Sequence, residues 1–229
     1  MIEKLSKKLG VKFNNIDILQ QSVTHRSYLN EHRDYKLEHN ERLEFLGDAV
    51  LELVVTKHLY LNYDNQEGEL TNWRAALVNG EMLAKISKKF GVEEFLMMSK
   101  GETKDKGKAR TYLLANALEA IIGAIYLDQK EKGFAAAEKF ILKNIISELP
   151  EILEKKLYMD PKSRFQEVSQ EKVGITPSYR LISASGPDHD KKFIIGVYLN
   201  DELIAEGEGL SKQEAQRNAA QRGLEEKGW

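Results

Sequence analysis

The sequence contains no cysteine, which excludes disulfides, thiolate metal centres and cysteine nucleophiles and suits a reducing compartment. It has no uninterrupted apolar run near the roughly 18 residues that a membrane-spanning helix needs. Its start, Met1-Ile2-Glu3-Lys4-Leu5-Ser6-Lys7-Lys8, lacks the apolar segment of a secretory signal. The expectation is a cytoplasmic protein with no membrane partner. Charge of one sign is missing too. Residues 1–159 hold 24 Lys+Arg and 24 Asp+Glu, and residues 160–229 hold 10 and 12. Neither part carries a basic field, so any phosphate-binding surface must be a local patch. What remains is a chain of 229 residues, 41% hydrophobic and 31% charged, long enough for one large or two modest domains with a real core.

Within this balance one segment is lopsided. In the run from Asn40 to Glu52, a helix at 100° per residue places Glu41, Glu44, Asp48 and Glu52 within an arc of roughly 80°. Leu43, Leu46, Val50, Leu53 and Val54 fall on the opposite side and would face a core. The pairs Glu44–Asp48 and Asp48–Glu52 are like-charged at i,i+4, each unfavourable by roughly 0.2–0.5 kcal/mol. Arg42 is the only basic residue between Glu41 and Thr56, so no neighbour in sequence offsets the repulsion. Spacing alone leaves two readings open: a solvated acidic face, or a face that holds something cationic.

Residues 1–150 read as helices. Asn40 is the expected N-cap of the acidic helix. Glu81 to Phe90 follows helical periodicity and stops at Gly91. Tyr112 to Leu127 is mostly apolar, with Asn116 and Glu119 at i,i+3 among its few polar side chains. Phe134 to Leu149 is amphipathic and is expected to end at Pro150. Residues 151–159 are charged and read as a linker. From Asp160-Pro161, an N-cap followed by proline at the first helical position, the character changes. After Gly174 three short strands follow, at Tyr179–Ile182, Phe193–Tyr198 and Leu203–Gly207, with turns at Gly186-Pro187-Asp188 and Asn200-Asp201. Ser211 and Glu214 form a capping box for a last helix with Ala215, Ala219 and Ala220 on one face. Residues 160–229 thus have an α-β-β-β-α layout, and the fold class is α+β multidomain with an all-α first domain.

The string His39-Asn40-Glu41-Arg42-Leu43-Glu44-Phe45-Leu46-Gly47-Asp48 resembles the signature of the ribonuclease III family. Ala115-Asn116-Ala117-Leu118-Glu119-Ala120 resembles that family's second acidic motif, with Asn116 standing where Asp is usual. The resemblance implies a homodimeric endonuclease that cuts double-stranded RNA with Mg2+ (Mn2+ being a possible substitute), leaving staggered 5′-phosphate and 3′-hydroxyl ends. It implies Asp48 and Glu119 as the catalytic pair, with Glu44, Asp48, Asn116 and Glu119 as metal ligands and Glu41 and Glu67 as further acids near the cut. Hard cations prefer such oxygen donors. An exposed Phe45 inside the acidic arc suggests a subunit contact. Transcript processing, including ribosomal RNA, is the expected role.

The C-terminal layout resembles a double-stranded-RNA-binding domain. Gln166 and Glu167 match the first helix, Pro187 and His189 the loop between the first two strands, and Lys212, Gln213 and Gln216 the start of the last helix. Duplex RNA is read through shape, 2′-hydroxyls and phosphates, and a helix N-terminus beside a lysine favours anions. The family usually has two or three lysines there, and Gln213 and Gln216 replace two of them. Weaker, less salt-dependent binding is the expectation.

Other residues carry blander readings. His25 is expected to be structural and Trp73 to lie in the core. The basic segment Lys100–Arg110 is either a phosphate contact or a solvated loop. Asn116 also supports a rival reading, an RNA-binding protein whose nuclease domain is catalytically impaired.

Overall fold

The computed structural model describes residues 2–103, 107–187 and 191–229, and the chain divides into two compact units, Met1–Lys155 and Lys156–Trp229. The first unit is built of α1 (Ile2–Leu9), α2 (Ile16–Ser22), α3 (Arg26–Glu31), α4 (Glu41–Asn62), α5 (Glu67–Val78), α6 (Gly80–Lys89), α7 (Lys100–Thr103), α8 (Lys108–Asp128), α9 (Gly133–Asn144) and α10 (Leu149–Glu154). An apolar helix with almost no polar face has to be buried. That is the position of α8: Leu114, Leu118, Ile121, Ile122 and Ile125 are fully buried, each worth roughly 1.5–3 kcal/mol. Residues 109–128 are the one described stretch long and apolar enough to cross a membrane, and 61% of it is buried within the unit.

The packing of α4 on α8 sets up everything that follows. A Cβ on Gly47 would stand 2.6 Å from the Glu119 carbonyl carbon and 2.8 Å from the Gly123 nitrogen, and closer still to the Glu119 carbonyl oxygen. A Cβ on Gly123 would strike the Leu43 carbonyl in return. Two glycines therefore let the backbones touch, and the first turns of α4 lie directly against the middle of α8. Leu43, Ala120 and Ala124 pack around this crossing.

Several sequence expectations change here. The buried face of α4 is Leu43, Gly47, Val50, Leu51, Val54, Val55 and Leu59, rotated from the expected leucine face, because the close approach of α8 is centred on Gly47. Leu53, expected in the core, is 57% exposed. Asn40 occupies the N-cap position without a side-chain capping bond; its amide donates instead to the Ser22 carbonyl at 3.3 Å. Pro150 opens a helix instead of ending one. It sits in the first turn of α10, where its missing N–H has no helical partner to lose. Ile152 of α10 is buried, so the helical unit runs past residue 150 to Lys155.

In the second unit, Asp160 caps α11 (Pro161–Val173) by accepting from the Lys162 backbone N–H, and Gly174 ends the helix at φ +70. Strands β1 (Ser178–Ser185), β2 (Lys192–Leu199) and β3 (Glu202–Gly209) form an antiparallel sheet in that order. Each is longer than its hydrophobic alternation suggested, since the ladder Ser178↔Tyr198 to Ser185↔Lys192 continues through polar residues. Helix α12 (Lys212–Lys227) follows Ser211, whose side chain accepts from the Glu214 N–H. Phe165, Val197, Leu199, Ala205, Ala219, Ala220 and Leu224 form the core. Gly207 is obligatory, because a Cβ there would overlap the α12 backbone at Ala215 and Ala219.

Candidate active site and RNA-binding surface

The glycine-mediated crossing brings Glu44 and Asp48 of α4 beside Asn116 and Glu119 of α8. Glu44, Asn116 and Glu119 are half-buried and Asp48 is exposed. The Glu119 carboxyl is pushed up to about 7, by burial first and then by the negative charges of Asp48 and Glu44. Glu44 is also raised, by burial and by Glu41 and Asp48, against a lowering hydrogen bond from the Asn116 side chain. Asp48, 71 positions before Glu119 in sequence, is thus close enough in the fold for its charge to raise the Glu119 carboxyl. A cavity of about 180 Å³ opens here, lined by His25, Asn40, Glu41, Glu44, Leu96, Met98, Leu113 and Asn116.

The ends of the acidic stripe are neutralised from elsewhere in the fold. Arg26 Nε lies 2.8 Å from Glu41 Oε1 and Arg26 Nη2 donates to Glu41 Oε2 at 3.0 Å. Arg74 Nε lies 3.1 Å from Glu52 Oε2. The partners that sequence neighbours could not supply come from α3 and α5, across loops that no spacing rule relates to α4. The middle of the stripe is different: among the described residues no Lys, Arg or His forms an ion pair with Glu44, Asp48 or Glu119. Among those residues, too, no three His, Asp or Glu side chains close on one point as a ligand group. Glu44 and Asp48 are near enough for their charges to act on Glu119 without closing on one point, and carboxylate and amide oxygens are the donor type that a hard, oxygen-preferring divalent cation takes. Burial of uncompensated negative charge is costly, and a cation at this place removes that cost.

Glu67 is not part of this group. It is exposed at the start of α5 and lines a separate cavity of about 590 Å³ with Thr56, Tyr60 and Arg74. Thr56 lies 12 residues beyond Glu44 on α4, about 18 Å along the axis at 1.5 Å per residue. His25 caps α3 by accepting from the Ser27 N–H, and its Nδ1 lies 2.8 Å from Glu102 Oε2. Trp73 is buried and meets Tyr63 edge-on. In the basic segment, Lys104 and Lys106 lie outside the described residues, while Arg110 is held by Glu93 at 2.8 Å.

Residues 15–149 match the family model described as ribonuclease-III-like, and residues 161–227 match the double-stranded RNA binding motif. Ribonuclease 3 of Enterococcus faecalis is 45% identical over 222 residues, covering 96% of this chain and 95% of that protein. Ribonuclease 3 of Clostridium perfringens is 42% identical, covering 98% and 93%. The chain belongs to the ribonuclease III family. As a member it is a double-stranded-RNA-specific endonuclease with a duplex-binding motif at its C-terminal end. Its fold is similar to the crystal structure of the ribonuclease III nuclease domain of Campylobacter jejuni, with a TM-score of 0.58 and 41% identity. That match covers 66% of this chain and 99% of the other.

In this ribonuclease III relative the duplex-binding unit presents its sequence-predicted contacts on three segments. Gln166 and Glu167 are exposed on α11, with Glu167 Oε2 3.1 Å from Lys156 Nζ. Pro187 is exposed after Gly186 (φ +94), while Asp188 and His189 lie outside the described residues. Lys212 and Gln213 are exposed in the first turn of α12. Gln216, one turn on, accepts a hydrogen bond from Lys162 Nζ at 2.7 Å, a partnership across elements that the sequence did not announce.

Proposed function

We propose that this endonuclease acts as a magnesium-dependent homodimer that cuts both strands of duplex RNA, leaving staggered 5′-phosphate and 3′-hydroxyl ends, in the processing of ribosomal RNA and other transcripts. The observation that carries the reading is the Glu119 carboxyl, pushed up to about 7 beside Asp48 and Glu44. This is a partly buried concentration of carboxylates at a helix crossing closed by Gly47 and Gly123. Glu44, Asp48 and Glu119, with the amide oxygen of Asn116, would hold the cation. When bound it supplies a lowered pKa for the attacking water and neutralises charge on the phosphoryl oxygens.

The chain's own groups do the rest. Asp48 is the exposed member of the group, open to an incoming phosphodiester. With Asp48, Glu119 would position the attacking water, and its carboxylate oxygen would accept the water's proton. Asn116 donates to Glu44, which orients that carboxylate and favours its charged form against the upward pull of burial and of Glu41. Glu41, clamped by Arg26, borders the cavity. Support for the dimer comes from the exposed apolar stripe Phe45, Ala49 and Leu53 on α4, with Phe45 81% and Leu53 57% exposed. The related Campylobacter jejuni nuclease domain is described as having a region involved in dimer formation. Two copies then present two acidic sites, one per strand. The domain scheme of this reading is a catalytic and dimerisation domain that extends beyond the expected 1–150 to Lys155, and an RNA-binding domain at 160–229, so that only residues 156–159 of the expected linker 151–159 lie outside the helical unit.

The test is to incubate the purified chain with a long RNA duplex and Mg2+. Short duplex products that vanish in Glu119→Gln, while duplex binding persists, support the proposal. Equal binding with no cleavage by the wild type would favour the alternative, a catalytically impaired double-stranded-RNA-binding protein, for which Asn116 is the supporting observation.

A further inference from the structure

We propose that Lys162, on α11, is a duplex-backbone contact that supplies the charge missing at Gln216, and that Gln216 is the positioning residue that holds it. The inference rests on the double-stranded-RNA-binding reading of the C-terminal unit. Three observations carry it. Lys162 Nζ donates to Gln216 Oε1 at 2.7 Å, so the ammonium is fixed beside the first turns of α12 although it is attached to a different helix. The same ammonium lies 5.1 Å from the centre of the Tyr179 ring, which restrains it from a second side. Both of these partners are neutral.

The neutrality matters. Elsewhere in this unit Lys156, Arg180, Lys192 and Lys227 each face a carboxylate, those of Glu167, Asp201, Glu208 and Glu202. Their charge is largely spent on protein partners. Lys162 forms no ion pair among the described residues; the nearby Asp160 carboxylate is used to cap the Lys162 backbone N–H at 3.0 Å. An ammonium has three N–H donors, and the Gln216 bond occupies one of them. A half-buried, oriented lysine has already lost much of its rotamer freedom, so a phosphate that meets it costs less entropy than one that must order a free side chain.

Gln216 therefore has a positive reason to be glutamine. A lysine at that position would repel Lys162, whereas the amide oxygen holds it. The positive charge has been transposed from α12 to α11 while staying at the same place on the surface.

The test is the salt dependence of affinity of the full-length chain for an RNA duplex of about 16 base pairs, the span of one such module, in metal-free buffer so that no cleavage occurs. Each phosphate contact contributes about 0.9 to the slope of log affinity against log salt, or about threefold between 50 and 200 mM. Lys162→Met is expected to lose about one contact from the slope. Adding Gln216→Lys to Lys162→Met puts the charge back on α12 and is expected to restore the slope. Lys162→Gln, which keeps an amide beside Gln216, gives the same reading if Lys162→Met does not fold. A wild-type slope in a folded Lys162→Met or Lys162→Gln protein overturns the inference, as does failure of the double variant to recover. Absence of duplex binding by the wild type would overturn the underlying reading as well, which separates the two failures.

Discussion

Replacing Gly47 by alanine tests whether the helix crossing builds the catalytic site. The added Cβ would lie 2.6 Å from the Glu119 carbonyl carbon and 2.8 Å from the Gly123 nitrogen, whereas carbon atoms in comfortable contact are about 3.5–4.0 Å apart. Relief requires α4 and α8 to separate by about 1 Å, because the obstacle is helix backbone and not the end of a flexible side chain. Overpacking of this kind costs about 1–3 kcal/mol. Alanine recovers about 1 kcal/mol in helix propensity, so the net expectation is a loss of up to about 2 kcal/mol in urea-induced unfolding. Activity should fall by more than stability does. The same 1 Å moves Glu119 away from Asp48, and such a misplacement is worth about 10²-fold in rate. Gly68→Ala is the control. It lies in the first turn of α5 with nothing within 4 Å of its Cβ, and it should be neutral or stabilising by up to about 1 kcal/mol. Equal stability and cleavage for the two variants would refute the argument that backbone contact at Gly47 positions the site.

Asn116→Asp adds a fourth carboxylate beside Glu44, Asp48 and Glu119. It should lower the thermal stability of the metal-free protein and tighten Mg2+ binding, measured by calorimetry, by about tenfold; unchanged affinity would mean that Asn116 is not a ligand. Glu148 is a buried acid bridged by Lys85 at 2.9 Å and by Lys89. Burial pushes its carboxyl up, but the hydrogen bonds and charges of Lys89 and Lys85 outweigh that and hold it below the usual 4.5. A depressed carboxylate stabilises the fold above its unfolded value and loses that contribution as pH falls through the folded value. Glu148→Gln should therefore cost about 1–3 kcal/mol at pH 7, and its stability curve should converge on the wild type below pH 4.5; parallel curves would exclude the bridge as a source of acid sensitivity. Phe45→Ser, at a site 81% exposed in the single chain, should leave the protomer folded and shift sedimentation towards monomer. Unchanged sedimentation would remove Phe45 from the subunit contact.

What could be read from the sequence followed from local chemistry. The Ser211 cap of α12, the proline at the start of α11 and the alanine face of α12 depend on residues within a few positions of one another, and the structure has them all, with Glu214 Oε2 reaching back to accept from the Leu210 N–H. Helix α8 was legible as an apolar run. The rotation of the buried face of α4 was not, because it depends on Gly123, 76 residues further on, offering a gap for Gly47. Pro150 misled for a related reason. A proline ends one helix or begins another, and only the packing of Ile152 decides which.

The acidic stripe shows the same division at the level of function. As a pattern it contained four like charges with no local counterion, and its even spacing gave no sign that they differ. The fold separates them by tertiary reach: Arg26 takes Glu41, Arg74 takes Glu52, and the pair between is turned against Glu119. Salt bridges at the ends lower the repulsion that would otherwise fray α4. They also confine the uncompensated charge to one turn, where the glycine contact holds the two helices. A cation is attracted to the place where charge is left unpaired, so the arginines help to define the site by what they neutralise. Removing one of them, as in Arg74→Met, would spread negative charge along the helix without adding a ligand at Asp48 or Glu119.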